Sequence, residues 1–194
     1  MNKKKELSLE QKNKTFLLKL SRKALEHIFE TGEEVDLSGL KVPERLKEEK
    51  ATFVTLTKND QLRGCIGKLQ PKKELYKDII ENTYSAAFGD PRFPQLSKEE
   101  LNDIKIEISL LTLPKRIKNK KPKNLLKKLK KEKPGVIIQY GLSSATYLPQ
   151  VWEEIKEAKS FLSHLCSKAG LMEDMWKDPN IKISTYKVIK FKEK

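Results

Sequence analysis

The sequence lacks several features that would assign it to a particular class of protein. No stretch approaches the roughly 18 apolar residues that a membrane-spanning helix needs. The two cysteines, Cys65 and Cys166, are too few for a disulfide scaffold, and their separation does not match a zinc site. The first residues are basic, but no apolar core follows them as a secretory signal requires. We therefore expect a soluble cytoplasmic protein that does not act at a membrane.

Aromatic residues are also scarce, at 7% of the chain, whereas charged residues make up 35% and apolar residues 37%. The apolar residues recur at regular intervals, which argues against disorder. A chain of 194 residues is long enough for one sizeable domain. Because no internal repeat or Gly/Ser linker divides the sequence, we expect a single domain over residues 1–194.

One segment carries most of the net charge of +14. Residues 115–133 contain eleven basic side chains and one acidic side chain, which leaves +4 for the rest of the chain. The spacing of Leu125, Leu126 and Leu129 predicts a helix over residues 122–132 with its leucines inward and its lysines in solvent. A charge run is most often a solvated helix face. Nucleic-acid binding is the alternative, although this segment contains no aromatic side chain for base stacking.

The apolar pattern predicts a mixture of helices and strands. The first half of the chain contains a helix capped by Ser8 that ends at Gly32, a hairpin over residues 51–69 and a helix from Pro71 that ends before Gly89. A short helix capped by Ser97, a strand over residues 104–111 and the basic helix follow. The last elements are a hairpin over residues 135–148, a long helix over residues 151–169 and a strand over residues 183–191. Regular strand–helix alternation is missing. We therefore expect an α+β fold with a mainly antiparallel sheet flanked by helices.

Three segments, in this order, resemble the motifs of one family. They are Leu62-Arg-Gly-Cys-Ile-Gly67, Ala86-Ala-Phe-Gly-Asp-Pro-Arg-Phe-Pro94, and Leu148-Pro-Gln-Val-Trp152 with Lys168-Ala-Gly-Leu171. On these motifs the chain resembles the AMMECR family over about residues 10–192. The basic segment at residues 115–133 departs from what we expect of that family.

The resemblance implies both a fold and a set of partners. It implies two unequal lobes around an antiparallel sheet, with the hexapeptide near a cleft between them. Prokaryotic members are known as protein A of the AmmeMemoRadiSam system, so the resemblance also implies association with a Memo-like protein and a radical S-adenosylmethionine protein. It implies neither a reaction nor a cofactor.

In the first motif, two glycines flank a thiol on a predicted strand. One interpretation is that Gly64 and Gly67 clear space beside the strand and that Cys65 points into it. Arg63 lies two residues before Cys65, on the same face of a regular strand, where its guanidinium would lower the pKa of the thiol or bind an anion. The alternative is packing, in which the glycines admit a neighbouring helix and Cys65 is one more small buried side chain.

The second motif places an acid and a guanidinium in a loop braced by prolines. Arg92 would reach toward a phosphate or carboxylate, with Asp90 orienting it, or the two residues would bind local backbone and a neighbouring acid. We expect Arg63, Cys65 and Arg92 to converge on one cleft that binds a small anionic ligand. Gly64, Gly67 and Asp90 are further ligand-binding candidates, and Cys65 is the catalytic candidate.

The sequence does not supply a complete set of catalytic or metal-binding residues. A nucleophilic Cys65 needs a base, but His27 and His164 lie in predicted helices where a surface or packed histidine is the ordinary interpretation. No spacing of acids, histidines or cysteines indicates a metal site. We predict an enzyme or enzyme component that acts on a small anionic or modified substrate. The alternatives are a non-enzymatic adaptor for the Memo-like and radical S-adenosylmethionine proteins, and a nucleic-acid-binding module.

Overall fold

The computed structural model describes residues 9–118 and 121–194. The chain divides into two compact units. The first unit contains the described residues up to Thr112 together with Ile189–Lys194, and the second contains Leu113–Val188. Each unit has its own four-stranded sheet and its own buried core. Within the described residues, we found no helix with the length and apolar character that crossing a membrane requires.

The first unit packs two long helices against one face of a sheet. Its elements are α1 (Gln11–Thr31), β1 (Ala51–Lys58), β2 (Gln61–Gly67), α2 (Leu75–Phe88), β3 (Ile104–Leu111) and β8 (Val188–Lys192), with short 3₁₀ turns at Glu44–Leu46 and Lys98–Glu100. The strand order is β2-β1-β3-β8, which leaves β2 at one edge. Helix α1 ends where Gly32 adopts a φ of 79°, a left-handed conformation that favours glycine.

The β1–β2 hairpin contains an irregularity beside the first motif. Leu56 lies opposite Gly64, whereas the next residue, Thr57, lies opposite Leu62. Arg63 is therefore an extra residue in β2, which is the register of a β-bulge. A bulge breaks the simple alternation of side chains between the two faces of a strand.

The two faces of this sheet differ in polarity. On β1 and β3, one face carries Val54, Leu56, Ile106 and Ile108, all with no exposed surface, in the core that α1 and α2 complete. The opposite face carries the intervening residues, which include the partly exposed Thr55. The alternation of apolar and polar residues in the sequence thus decides which side of the sheet meets the helices.

The second unit builds a smaller antiparallel sheet covered by helices. Its elements are β4 (Lys115–Arg116), α3 (Pro122–Glu132), β5 (Gly135–Tyr140), β6 (Ser143–Tyr147), α4 (Val151–Glu154), α5 (Ala158–Lys168) and β7 (Lys182–Tyr186), with a 3₁₀ turn at Met175–Lys177 and strand order β4-β7-β5-β6. The rings of Trp152 and Phe161 stack at 3.9 Å in its core. The indole N–H of Trp152 donates to the Pro134 carbonyl at 2.8 Å, so burial leaves this group satisfied.

The α+β prediction is confirmed, as are the strand over Ile104–Leu111 and the helix over Pro122–Glu132. Three predicted boundaries are wrong. Helix α2 begins at Leu75 instead of Pro71. The predicted helix over residues 151–169 is two helices, because the backbone of Ile155 leaves the helical region at φ −105° and ψ 88°. The predicted last strand is β7 in one sheet and β8 in the other. The predicted cap Ser8 lies outside the described residues.

Candidate functional site

Cys65 lies on the edge strand β2, on the face of the sheet that the core helices do not cover. It is opposite Thr55 in the β1–β2 ladder, and its Sγ is 3.2 Å from the Thr55 hydroxyl oxygen. Cys65 is partly exposed and its thiol is free, and Cys166 is a free thiol buried in the second unit. Both cysteines are therefore unbridged, as the sequence predicts. Only Cys65 is open to a reagent or ligand.

The loop after α2 covers the outer edge of β2 at Cys65. The backbone N–H of Cys65 donates to Asp90 Oδ2 at 2.9 Å, and its carbonyl accepts from Arg92 Nη2 at 3.3 Å. Asp90 and Arg92 also bind each other, through Nε–Oδ1 at 2.9 Å and Nη2–Oδ2 at 2.7 Å. This pair thus offers an acceptor and a donor to the edge strand, as a neighbouring strand would. We call it the Asp90–Arg92 clamp.

The clamp fixes the charge state of Asp90. The residue is only 5% exposed. Hydrogen bonds from the Arg92 side chain are the main cause that holds the pKa of Asp90 well below its ordinary value. The backbone amides of Cys65 and Arg92 act in the same direction, and burial acts against them. Asp90 is therefore an ionised acceptor that orients Arg92, and it has no proton to give to a substrate.

Arg92 keeps part of its guanidinium available. Its side chain is 54% exposed, whereas that of Asp90 is 2% exposed. Among the described residues, no hydrogen bond uses Arg92 Nη1. The guanidinium carbon lies 5.4 Å from the centre of the Phe93 ring. The pKa of Arg92 is raised, chiefly by Asp90 and to a smaller degree by the charge that Cys65 carries when ionised. Arg92 is thus held in place with a free donor group.

Arg63 has a different environment from the one that the sequence predicts. Its Nε and Nη2 donate to the Glu100 carboxylate at 2.9 and 2.8 Å, and Nη1 donates to the Pro94 carbonyl at 2.9 Å. The side chain is 11% exposed. The hydrogen bonds from Arg63 are the main cause that lowers the pKa of Glu100 to about 2, with burial acting against them and bonds from Ser97 and Lys58 in the same direction. The expected sharing of one face with Cys65 stays a prediction, and the bulge at Arg63 interrupts the regular alternation of side chains on which that expectation rests.

The two motif arginines still meet the same loop. Arg92 belongs to this loop, and Arg63 binds its Pro94 and Gln95 carbonyls. Arg63 anchors the loop to the bulge, and Arg92 anchors it to the backbone of Cys65. The sequence predicts that these two segments meet, but it does not predict that Arg63 and Arg92 bind different partners.

The glycines of the first motif permit close backbone approaches. A Cβ on Gly64 would lie 2.1 Å from the Ala86 carbonyl oxygen of α2, and a Cβ on Gly67 would lie 2.2 Å from the Thr52 carbonyl oxygen of β1. Both separations are far below contact distance. The packing interpretation therefore accounts for the two glycines, and ligand binding by either of them stays a prediction.

Sequence reasoning missed a buried polar cluster between α2 and strand β1. Asp78 and Asn82 on α2 are each 1% exposed, and both bind the Thr52 hydroxyl, at 2.5 and 2.8 Å. The Asn82 amide also donates to Asp78 Oδ2 at 3.0 Å, while Oδ1 of each residue has no partner among the residues that the structure describes. Burial raises the pKa of Asp78. The signal was an acid and an amide four residues apart within an apolar helix.

The surroundings of Cys65 hold no evident base. His27 lies on α1 and His164 on α5, and neither is hydrogen-bonded to Cys65 in the part of the chain that the structure describes. Over the same residues, no group of three or more His, Cys, Asp or Glu side chains is arranged to hold a metal ion. A cavity of about 570 Å³ touches the same loop at Gly89 and Gln95, but neither Cys65 nor Arg92 lines it. This cavity therefore does not include the thiol or the guanidinium.

Comparison with known proteins agrees with this fold. The sequence profile of the AMMECR1 family matches residues 18–191. A protein of Methanopyrus kandleri is 42% identical over 187 residues, which cover 92% of this chain and 87% of that protein. A protein of Nanoarchaeum equitans is 39% identical over 179 residues, which cover 91% of this chain and 98% of that protein.

A solved structure is also similar over nearly the whole chain. The crystal structure of an uncharacterised protein from Pyrococcus horikoshii has a TM-score of 0.84 and 33% sequence identity to this chain. The similarity covers 96% of this chain and 94% of that one. The family match includes the strand that carries Cys65 and the loop that carries Arg92. The chain therefore belongs to the AMMECR1 family.

Proposed function

We propose that this chain is the substrate-holding component of an enzyme and that it binds a small anionic group beside Cys65. The observation that supports the proposal is the half-exposed guanidinium of Arg92, whose Nη1 has no partner among the described residues, next to a partly exposed thiol. A guanidinium with free N–H groups binds carboxylate or phosphate oxygens through directed hydrogen bonds.

The Asp90–Arg92 clamp favours a ligand at Arg92 even though Asp90 neutralises part of its charge. The carboxylate is buried, so an approaching anion meets the guanidinium and not the carboxylate. The clamp also fixes the orientation of the guanidinium before a ligand arrives. Such pre-organisation reduces the side-chain entropy that binding would otherwise cost.

Arg63 and Glu100 support the site indirectly. Their ion pair and the Arg63–Pro94 bond hold the loop that carries Arg92. We therefore assign Arg63 as a positioning residue, and we assign ligand contact to Arg92 and Cys65. Any chemistry at the thiol needs a proton acceptor from the substrate or from a second protein, because no base contacts Cys65 in the described part of the chain.

A second candidate function is a non-enzymatic adaptor for Memo-like and radical S-adenosylmethionine proteins. It is favoured because no base contacts Cys65 in the described part of the chain. The partial exposure of Cys65 also favours it. In this function the open face of β1 and β2 would be a protein contact, and Cys65 would be covered upon assembly.

Alkylation of Cys65 by two reagents of different charge tests the first candidate. Iodoacetate is an anion and iodoacetamide is neutral, while their reactive carbon is the same. A unit positive charge at a separation of about 6 Å in water attracts an anion by about 0.7 kcal/mol, which corresponds to about threefold in rate. We expect Arg92→Gln to lower the ratio of iodoacetate to iodoacetamide rate constants at Cys65 by about that factor. Mass spectrometry of the Cys65 peptide measures both rates.

Three controls make this experiment decisive. Arg92→Lys keeps the positive charge and should retain most of the ratio, which separates charge from loss of the clamp. Arg45→Gln removes an arginine that binds Glu48 in the same unit, and it should leave the ratio unchanged. Millimolar inorganic phosphate should slow the iodoacetate reaction of the wild type but not that of Arg92→Gln. Equal ratios in the wild type and Arg92→Gln would refute anion binding at this site.

The adaptor is tested with purified proteins of the same organism. If Cys65→Ser and Arg92→Gln abolish binding of the Memo-like protein, and phosphate has no effect on alkylation, the adaptor function replaces the first candidate.

A further inference from the structure

Helix α3 in the second unit presents a basic surface that the proposed function does not use. Leu125 and Leu129 are 3% and 0% exposed and fix the helix to the second core. Every lysine of the helix is exposed. These lysines are Lys123, Lys127, Lys128, Lys130 and Lys131. We call this set the α3 lysine face.

Acidic residues do not neutralise this face. Within the described residues, only Lys130 of the set has an acidic partner, Glu157, at 2.9 Å. Those two side chains are 60% and 67% exposed, so the pair is weak. In sequence, residues 113–188 contain seventeen basic and seven acidic side chains, and residues 115–133 alone account for the whole excess of ten. The excess positive charge of this unit therefore lies within residues 115–133, and α3 contributes five of the eleven basic side chains there.

The stability of the helix does not explain where these charges lie. The first turn of α3 contains Lys123 and no acidic residue. A positive charge there is unfavourable, because the N-terminus of a helix carries partial positive charge. Lys130 and Lys131 in the last turn are favourable for the opposite reason. The helix dipole therefore does not account for Lys123.

Two kinds of polyanion fit this surface poorly. An interfacial helix binds a membrane by inserting its apolar face, but Leu125 and Leu129 are already buried in the second core. Single-stranded nucleic acid is held by stacking bases on aromatic rings, and residues 115–133 contain no Phe, Tyr or Trp. A row of charge without a stacking surface matches the backbone of a duplex.

We propose that the α3 lysine face binds the phosphodiester backbone of double-stranded nucleic acid without sequence preference. A helix of this length extends about 16 Å, at about 1.5 Å per residue. Phosphates follow one another at about 3.4 Å of axis per strand, so this length faces about five of them. The five lysines of the face supply a matching row of charge. The interaction is independent of Cys65 and Arg92.

Fluorescence anisotropy with a labelled duplex of about 20 base pairs tests this proposal. We expect the affinity to fall roughly 500-fold when salt rises from about 50 to about 200 mM, since each of about five phosphate contacts releases a counterion. Replacing all five lysines of the face by Gln should abolish binding, and the helix should survive because Gln has a similar helix propensity. Circular dichroism and tryptophan emission check the fold, because Trp152 and Trp176 are buried in the second core.

A charge-matched control variant replaces five exposed lysines of the first unit by Gln, namely Lys23, Lys41, Lys72, Lys98 and Lys105. It should bind as the wild type does. DNA and RNA duplexes of unrelated sequence should bind alike, since only the backbone is contacted. The proposal would be overturned if the affinity for the duplex did not depend on salt, or if the control variant lost as much affinity as the variant of the α3 lysine face. It would also be overturned if a single strand bound more tightly than the duplex, or if the protein bound phosphatidylserine vesicles equally well.

Discussion

Asp78 and Asp90 are two buried carboxyl groups whose surroundings move their pKa values in opposite directions. Asp90 accepts charged hydrogen bonds from Arg92, and these outweigh burial and lower its pKa. At Asp78, burial is the largest influence and raises the pKa, while the bonds from Thr52 and Asn82 and the charge of Lys68 oppose it. The partners of each carboxyl, and not its burial alone, thus decide its charge state.

Asp78→Asn should stabilise the protein at neutral pH. The folded state raises the pKa of Asp78, so folding favours the protonated carboxyl. The contribution of Asp78 to stability is therefore present at low pH and is lost as pH rises from about 4 through the folded-state pKa. The amide has no such titration, and it carries no charge that burial removes from water. We expect a gain of about 1 kcal/mol at neutral pH that shrinks toward pH 4. Urea denaturation at several pH values measures it.

Asp103→Asn is the matched control. Its carboxyl is 58% exposed, and its contact with Lys58 Nζ is long, at 3.9 Å. Its unfolding free energy should change by less than about 0.5 kcal/mol, as is usual at the surface. A gain for Asp78→Asn that is independent of pH would contradict the assignment of a raised pKa.

At the scale of elements, strand β2 is defined by what it contacts on each side. Its backbone at Gly64 meets α2, its outer edge at Cys65 meets the Asp90–Arg92 clamp, and its bulge at Arg63 meets Glu100. The apolar pattern predicts the hairpin well, and the structure places its turn at Asn59, which has a φ of 52°. The bulge could not be predicted, because the register of two strands and the partner of Arg63, Glu100 in the next 3₁₀ turn, are set by residues outside the hairpin.

Gly64→Ala should be strongly destabilising. The new Cβ would lie 2.1 Å from a backbone oxygen of α2, so either the strand or the helix must shift. We expect a loss of about 3 kcal/mol, at the upper end for overpacking, in chemical denaturation. Gly39→Ala is the control, because no atom lies within 4 Å of its added Cβ, and it should be neutral or slightly stabilising. Similar losses in both variants would show that helix packing is not the cause.

At the scale of the whole molecule, the chain leaves the first unit after Thr112 and returns to it at Ile189. The returning strand β8 pairs with β3. Its next residue, Glu193, binds Arg22 of α1 and the backbone N–H of Ile106. Residues separated by most of the chain thereby complete one core.

Glu193→Ala should destabilise the first unit by about 2 kcal/mol, since it removes charged hydrogen bonds from the partly buried Arg22. Hydrogen exchange at Ile106 and its neighbours on β3 should accelerate accordingly, while tryptophan emission monitors the second core. Lys190→Ala, which breaks the more exposed pair with Glu107, should cost less than about 1 kcal/mol. Unchanged exchange at Ile106 in Glu193→Ala would show that β8 does not depend on this contact.

The sequence by itself determined the α+β class, the bounds of β3 and α3, and the residues that carry the chemistry. These properties follow from local patterns, because the periodicity of apolar residues selects helix or strand wherever it is regular. The three motif segments were sufficient for the family resemblance, and Cys65, Asp90 and Arg92 lie together as these motifs suggest.

Only the tertiary structure decided which hydrogen-bond or ion-pair partner each charged side chain has. Arg63 and Arg92 look equivalent in sequence, yet one is enclosed by Glu100 and loop carbonyls and the other stays half exposed. The same limit applies to residues 183–191, whose alternation predicts a strand but not its division between two sheets. The physical reason is that a strand pattern specifies which face is buried, whereas register, bulges and ion pairs depend on residues far away in the chain.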